Sequence, residues 1–287
     1  MKNTFLFPLS LITVFGLNGM VKDPVTATQY AQIDSFLRST LDHPMQAEIQ
    51  PSAALLWAKL GLERKLQEGV SLQTYFTVLT RVGKQEKDLK AKFDALTTEG
   101  ELLVEGKIGA RTAKNIEQAR KRLKKCTNQS LNPVAQARSC ALLGSTYIEG
   151  PLGNENSKNL VEAERLFEKA KNQTVDPSAS AEGQLGLAQV NIARKKFRLA
   201  YQHFQNASQQ TANMLVHYRA QACMGQMQAK GLVGHRKKTD HKNAITLLEP
   251  ISKLPVPKKA IGLPPTRSQF LTERMKQGAL KTLQELQ

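Results

Sequence analysis

The last two thirds of the chain repeat with a period of 44 residues. Glycines, alanines, apolar residues and one glutamate recur at this spacing between the segment that ends at Cys126 and the segment that ends at Ala170. The matched pairs include Gly100 with Gly144, Glu105 with Glu149, Gly106 with Gly150, Asn115 with Asn159 and Ala119 with Ala163. A fixed period of this length is typical of stacked helical units. In such stacks, small and apolar positions recur because each unit packs on its neighbour.

Most of the sequence follows the helical period of 3.6 residues, and no stretch alternates with period two for long enough to indicate a sheet. Asn132-Pro133 and Asp176-Pro177 each pair an N-cap residue with a first-turn proline, again 44 residues apart. The sequence therefore predicts an all-α fold, a right-handed α-α solenoid of antiparallel helix pairs. The predicted helices cover residues 27–41, 52–66, 71–82, 84–104, 111–126, a segment opening at Pro133, 158–172, 178–193, 196–210, 213–230, 240–254 and 268–286.

One unit carries a recognisable motif. Leu143-Gly144-Ser145-Thr146-Tyr147-Ile148-Glu149-Gly150, followed by Ala163, Phe167 and Ala170, resembles the Sel-one-like repeat, a relative of the tetratricopeptide repeat. Partial copies surround Gly100, Gly186 and Gly225, so the resemblance covers roughly residues 90–252. It implies that the motif positions serve helix packing. These are Gly100, Gly106, Gly144, Tyr147, Gly150, Ala163, Phe167, Ala170, Gly186, Ala200, Phe204, Gly225, Gly231 and Ala244.

The ends of the chain differ from the repeats. Phe5–Leu17 is a short apolar stretch after a basic start, which fits a signal peptide in residues 1–19 better than a membrane span. A buried N-terminal helix is the alternative. We expect a helical segment at 24–89 that includes divergent repeats or is unrelated to them, repeats at 90–252, a proline-rich bend at 253–267 and a capping helix at 268–287. The signal peptide implies a periplasmic or secreted protein; without it the protein would be cytoplasmic.

Basic residues outnumber acidic ones by 17, which favours anionic partners. Several basic clusters recur at about one repeat or half a repeat, so a solenoid would align them into a stripe. The alternative is a set of solvated outer faces. Stacking aromatic side chains are scarce beside the clusters, which makes an anionic envelope polymer or an acidic protein a better candidate than nucleic acid. The candidate anion-binding residues are Arg120, Lys121, Arg122, Lys124, Lys125, Arg194, Lys195, Lys196, Arg198, Arg236, Lys237 and Lys238.

The chain has three cysteines and no Cys-x-x-Cys pair. Cys126 is expected to close one helix and Cys140 to lie in the next, so a disulfide between them is one prediction for an oxidising compartment. The alternative is that both are small core residues. Cys223 is interpreted as a buried small hydrophobic residue.

The sequence lacks the motifs of hydrolases, zinc proteases, phosphate loops and dinucleotide-binding folds. Glu105 and Glu149 lie one unit apart, which argues against a catalytic carboxylate pair. We therefore predict no catalytic, cofactor or metal residues. The expected function is a non-enzymatic, exported scaffold that binds a protein partner on its concave face, and the resemblance to the Sel-one-like repeat implies an adaptor in a bacterial periplasm or envelope. Binding of an anionic polymer is the alternative, and an enzyme with its site in residues 24–89 is a third class.

Overall fold

The structure is a computed structural model that describes residues 35, 51–62, 71–154, 156–211, 213–233, 238–255 and 266–286. The fold is all-α: this part of the chain forms eleven helices and contains no strand. The helices are α1 (Pro51–Leu62), α2 (Leu72–Lys84), α3 (Leu89–Glu105), α4 (Ala113–Cys126), α5 (Pro133–Ile148), α6 (Ser157–Lys171), α7 (Pro177–Ala193), α8 (Phe197–Ser208), α9 (Met214–Ala229), α10 (Lys238–Ser252) and α11 (Arg267–Leu286).

Two layers of helices follow from the packing. Each helix packs on the next one in the chain, and each odd-numbered helix also packs on the following odd-numbered helix. Within the described residues, the even-numbered helices pack on their odd-numbered neighbours and not on one another. We call α1, α3, α5, α7, α9 and α11 the odd layer, and α2, α4, α6, α8 and α10 the even layer. The last odd helix, α11, also contacts α3, so the odd layer turns back on itself.

Three helices of the odd layer begin at N-caps that are spaced 44 residues apart. The side chains of Asp88, Asn132 and Asp176 each accept a hydrogen bond from the backbone N–H three residues later. This satisfies one of the free N–H groups that every helix start exposes. The two later caps agree with the prediction from the Asx-Pro pairs. Asp88 adds a third, and it moves the start of α3 to Leu89, whereas the sequence analysis wrongly placed it at Lys84.

A glutamine three residues before the cap holds two of these helix starts. Gln85 receives a hydrogen bond from the backbone N–H of Asp88 and donates one to its carbonyl oxygen, at 2.8 and 2.6 Å. Gln129 makes the same two bonds to Asn132, both at 2.8 Å. The period of 44 residues therefore extends to the loops that precede the caps.

Glycines of the odd layer lie against bulky side chains of the even layer. A Cβ atom added at Gly100 would lie 2.6 Å from Leu123, and one added at Gly144 would lie 2.8 Å from Phe167. At Gly225 the corresponding distance to Leu248 is 2.7 Å. In each pair the bulky residue follows the glycine by 23 positions. Because real Cβ contacts are longer than 3 Å, these helices approach as closely as they do only because the position is glycine.

The ring of Phe167 is enclosed by two successive units. Gly186 in α7 faces the same three ring atoms as Gly144, and a Cβ atom there would lie 2.3 Å from the ring. One turn earlier, a Cβ atom at Gly183 would lie 2.6 Å from the backbone nitrogen of Lys171. The helices α6 and α7 are thus in close contact at both glycines, of which sequence analysis identified only Gly186.

The other residues assigned to packing divide into two groups. Ala163, Ala170, Ala200, Phe204 and Ala244 are buried in the helix interfaces. The glycines at 106, 150 and 231 instead have left-handed φ angles of 72°, 83° and 62°, so they serve turns rather than helix contacts. Tyr147 is half-buried.

Helix boundaries differ from the predictions by a few residues. α6 begins at Ser157, one residue before the predicted start, and Asn156 caps it, because its side chain accepts the N–H of Asn159. α10 begins at Lys238, two residues before the predicted start at Asp240. The predicted signal peptide at 1–19 and all of the predicted helix at 27–41 except Ser35 lie outside the described residues. In the part that the structure describes, no helix is both long and apolar enough to cross a bilayer.

Candidate functional site

Arg267, the first residue of α11, is 6% exposed. Its Nε and Nη2 atoms lie 3.1 and 3.0 Å from Oε2 of Glu149, and its Nη1 atom lies 3.2 Å from Oε1 of Glu105. These partners precede it by 118 and 162 residues. The start of the last helix is therefore held at the ends of two helices from early units.

The two glutamates occupy equivalent places in successive units. Glu105 is the last residue of α3, and Glu149 directly follows α5. Gly106 and Gly150, which follow them, adopt left-handed φ angles and turn the chain away. A carboxylate at a helix C-terminus is disfavoured by the helix dipole. The site therefore requires cations from elsewhere in the fold.

Four helices of the odd layer meet at the carboxylate of Glu149. Its second oxygen, Oε1, accepts hydrogen bonds from Arg219 of α9 at 2.7 Å and from Gln189 of α7 at 3.3 Å. The second oxygen of Glu105 accepts the backbone N–H of Ser268 at 3.2 Å. This last contact places a carboxylate at the N-terminus of α11, where the dipole favours a negative charge.

Burial and neighbouring charges shift the pKa values of Glu149 and Arg267 in opposite directions. Burial alone would raise the pKa of Glu149, but the guanidinium groups of Arg267 and Arg219 outweigh it and hold the pKa well below its usual range. Burial would lower the pKa of Arg267, but Glu149, Glu105 and Glu182 raise it. Both residues are thus charged at neutral pH. We call Glu105, Glu149, Arg219 and Arg267 the ion cluster, and the surface of the odd layer that carries it the inner face.

Two further carboxyl groups lie beside the ion cluster. Burial raises the pKa of Glu182 and of Glu101. Repulsion from the carboxylate of Glu101 raises the pKa of Glu182 further. Glu182 accepts one hydrogen bond, from Asn213 at 3.3 Å. Neither makes an ion pair within the described residues, although Arg267 and Arg219 partly offset the effect of burial on Glu182. The inner face therefore holds more carboxyl groups than the two that contact Arg267.

Arg111 lies between the two turns that follow the glutamates. A Cβ atom at Gly106 would lie 2.8 Å from its Cγ, and one at Gly150 would lie 3.0 Å from its Nη2. Its Nε atom is buried and has no hydrogen-bond partner among the described residues. Burial, followed by repulsion from Arg267, lowers the pKa of Arg111. The glycines at both turns thus leave room for a third arginine beside the ion cluster.

Sequence analysis missed this site. It treated Glu105 and Glu149 as too far apart to act together, and the structure places both against one guanidinium group. The available signal was the recurrence of a Glu-Gly pair at the end of two units. No local pattern marks Arg267, since its role depends on the return of α11 to the early units.

Three of the arginines predicted to bind anions are used inside the fold. Arg120 donates to Thr146 Oγ1 at 3.0 Å and lies over the ring of Tyr147 at 4.4 Å. Arg122 pairs with the buried carboxylate of Glu99 at 3.2 Å. Arg194 makes a bidentate pair with Glu164 at 2.7 and 2.9 Å. These three side chains stabilise helix contacts instead of forming part of an open basic stripe.

The other residues predicted to bind anions are either paired, outside the described residues, or exposed. Lys121 is exposed and pairs with Glu117 in the same helix at 3.2 Å. Arg236 and Lys237 lie outside the described residues, as does the side chain of Lys238. The remaining exposed cations of the predicted stripe are Lys124, Lys125, Lys195, Lys196 and Arg198. Lys124 and Lys125 lie at the end of α4, Lys195 and Lys196 lie in the turn before α8, and Arg198 lies in the first turn of α8.

The predicted disulfide is not formed in the structure, where Cys126 and Cys140 are free and buried. The Cys126 thiol lies 3.5 Å from the carbonyl oxygen of Phe93 and donates to it. Burial raises the pKa of Cys140 to about 11. Both residues fill the interface between α3, α4 and α5. Cys223 is half-buried, and burial raises its pKa as well.

No group of three or more histidine, cysteine, aspartate or glutamate side chains suited to a metal ion occurs in the described ranges. Comparisons with protein families, with characterised proteins and with solved structures gave no match.

Proposed function

We propose that this chain is a non-enzymatic interaction scaffold, a right-handed solenoid of Sel-one-like units that binds a polypeptide partner on its inner face. The repeated caps and the glycine contacts spaced by 23 residues support a stack of equivalent units. Stacks of this kind present long continuous surfaces, which suit the binding of extended or helical segments.

The observation that carries the proposal is the binding of the first turn of α11 to the inner face. A polypeptide segment, Thr266–Ser268, lies on the inner face through one guanidinium group and one backbone N–H. Neither contact depends on a covalent link to α10, so a segment from another protein with the same groups fits the same contacts. A partner is expected to be basic where it meets the inner face.

A second candidate function is binding of an anionic polymer on the even layer. The supporting observation is that Lys124 and Lys125 are adjacent and exposed at the end of α4, a helix with six basic residues and one acidic residue. Binding of heparin to the full chain would test this. We expect Lys124→Ala/Lys125→Ala to weaken such binding, and a steep loss of affinity with salt.

Export remains part of the proposal. Residues 1–19 are proposed to be a signal peptide that directs the chain to the periplasm or to secretion. Mass spectrometry of the chain's N-terminus after cell fractionation tests this, because retention of Met1 in a cytoplasmic fraction would rule it out.

Site-specific photo-crosslinking in the native host tests the scaffold. Val134 is 37% exposed and lies one turn before Arg138 on α5, a helix of the odd layer, and the charge of Arg138 acts on Glu101 of the inner face. Val161 is 59% exposed on α6 of the even layer and serves as the matched control. With benzoylphenylalanine at each position, we expect discrete protein cross-links from Val134 and not from Val161. Equal cross-linking from both positions would contradict the proposal.

A further inference from the structure

The helix α11 is attached to the fold at two places of different chemistry. Towards its middle, Met275 and Ala279 are buried against the apolar side chains of Ala222, Leu248 and Ile251. Among the described residues, none of the first turn belongs to this apolar cluster, and Phe270 there is 49% exposed. The contacts that join the first turn to the early units are the polar contacts of Arg267 and Ser268.

These polar contacts form a receptor for one particular group. Glu105 accepts both from the guanidinium group of Arg267 and from the backbone N–H of Ser268, while Glu149 binds two guanidinium nitrogens. An arginine at the start of a helix supplies all of these donors at once, because the first N–H groups of a helix have no partner within it. We call the two carboxylates of the ion cluster, those of Glu105 and Glu149, the acidic seat.

We propose that residues 266–270 are an internal occupant of the acidic seat, and that its external ligand is a polypeptide segment with an arginine at the start of a helix. The ligand displaces the first turn of α11, while the rest of that helix stays on α9 and α10. This inference rests on the proposed scaffold function. It specifies the chemistry of the partner and the segment of the chain that competes with the partner for the same site.

The carboxyl groups around the acidic seat and the apolar contacts of the rest of α11 both support displacement of the first turn alone. Glu101 and Glu182 add carboxyl groups beside the seat, so the inner face still favours cations when Arg267 leaves. Release of the turn breaks ionic contacts but exposes none of the apolar interface around Met275. A tethered turn competes at an effective concentration of about millimolar, so it reduces the apparent affinity of a free ligand.

The test measures binding of a labelled peptide with the sequence of residues 264–276 to the full chain by fluorescence anisotropy. We expect an Arg267→Ala chain to bind this peptide at least ten times more tightly than the wild-type chain. An Arg274→Ala chain is the matched control, since Arg274 is exposed on the same helix, and it should behave as wild type. A peptide with Arg267→Ala should lose at least tenfold in affinity, and one with Arg274→Ala should not. Equal affinity of the three chains, or of the peptides, overturns the inference.

A measurement on the wild-type chain guards against misfolding of the variant. Raised sodium chloride should accelerate amide hydrogen exchange at Phe270 at least tenfold and leave Ala279 unchanged. A salt-insensitive rate at Phe270, or joint acceleration at both residues, contradicts a turn that opens alone.

The outcomes also separate this inference from the scaffold proposal. Cross-linking at Val134 without peptide binding to the Arg267→Ala chain overturns the inference and leaves the scaffold. Peptide binding without any Val134 cross-link in the host overturns the scaffold and, with it, the external ligand.

Discussion

Replacement of Gly186 by alanine tests the packing of the repeat most sharply. The added methyl group would lie 2.3, 2.4 and 2.5 Å from three ring atoms of Phe167, whereas carbon atoms in contact prefer about 3.5–4.0 Å. Phe167 is 2% exposed and its ring also lies against Gly144, so it has little room to move. At Gly144 the same substitution meets the same ring at 2.8–3.1 Å, a milder overlap.

The expected change in the free energy of unfolding combines two opposing contributions. Overpacking of a filled core costs about 1–3 kcal/mol, and Gly→Ala in a helix interior returns about 1 kcal/mol. We expect Gly144→Ala to destabilise by about 0–1 kcal/mol and Gly186→Ala by about 2 kcal/mol. Gly278→Ala is the control, because among the described residues its Cβ would meet only the flexible end of Gln226, at 2.6 Å. It should be neutral or stabilising by up to about 1 kcal/mol.

The assay is urea unfolding followed by far-ultraviolet circular dichroism. Phe167→Leu provides the second half of a double-mutant cycle with Gly186→Ala, and we expect a coupling energy above about 1 kcal/mol because the two side chains compete for one space. Equal stability of the Gly144 and Gly186 variants, or a coupling energy near zero, would refute the close contact between successive units.

Three further predictions concern buried charge. Glu149→Gln should destabilise at pH 7 and Glu182→Gln should stabilise, because the pKa of the first carboxyl is lowered in the fold and that of the second is raised. The cost of Glu149→Gln should shrink as the pH falls below about 4.3, where the unfolded carboxyl is protonated. The gain from Glu182→Gln should shrink as the pH falls below the raised pKa of Glu182 and vanish only below about 4.3, where this carboxyl is protonated in both the folded and the unfolded chain. Thermal melts from pH 3 to 8 check both signs. Arg122→Ala leaves the buried carboxylate of Glu99 without its cation and should cost about 3 kcal/mol, whereas the neighbouring exposed Lys121→Ala should change the unfolding free energy by less than about 0.5 kcal/mol.

Sequence reasoning predicted the local architecture well because its signals are local. The Asx-Pro caps at 132 and 176 begin helices where expected, since a cap acts within one turn. The missed start at Asp88 has the same cause: without a proline after it, the cap was not distinguished from the end of α2. The all-α class followed from the helical period and is correct.

The ion cluster was beyond prediction because it depends on long-range geometry. Arg267 meets Glu105 only because the odd layer turns back and brings α11 onto α3. A charged residue in a sequence carries no mark of whether it is exposed or buried. For the same reason the sequence left open whether the basic clusters form one stripe or solvated outer faces, whereas Arg120, Arg122 and Arg194 each stabilise a contact between helices.

The most direct test of the account maps where a free copy of the first turn binds. A peptide with the sequence of residues 264–276, carrying benzoylphenylalanine in place of Phe270, is cross-linked to the full-length Arg267→Ala chain and the products are mapped by mass spectrometry. We predict cross-links to the inner face, in the ranges 101–111, 138–150 and 182–189. Cross-links confined to α4, α6 and α8 of the even layer, or none above those of a peptide that also lacks its arginine, would contradict the acidic seat.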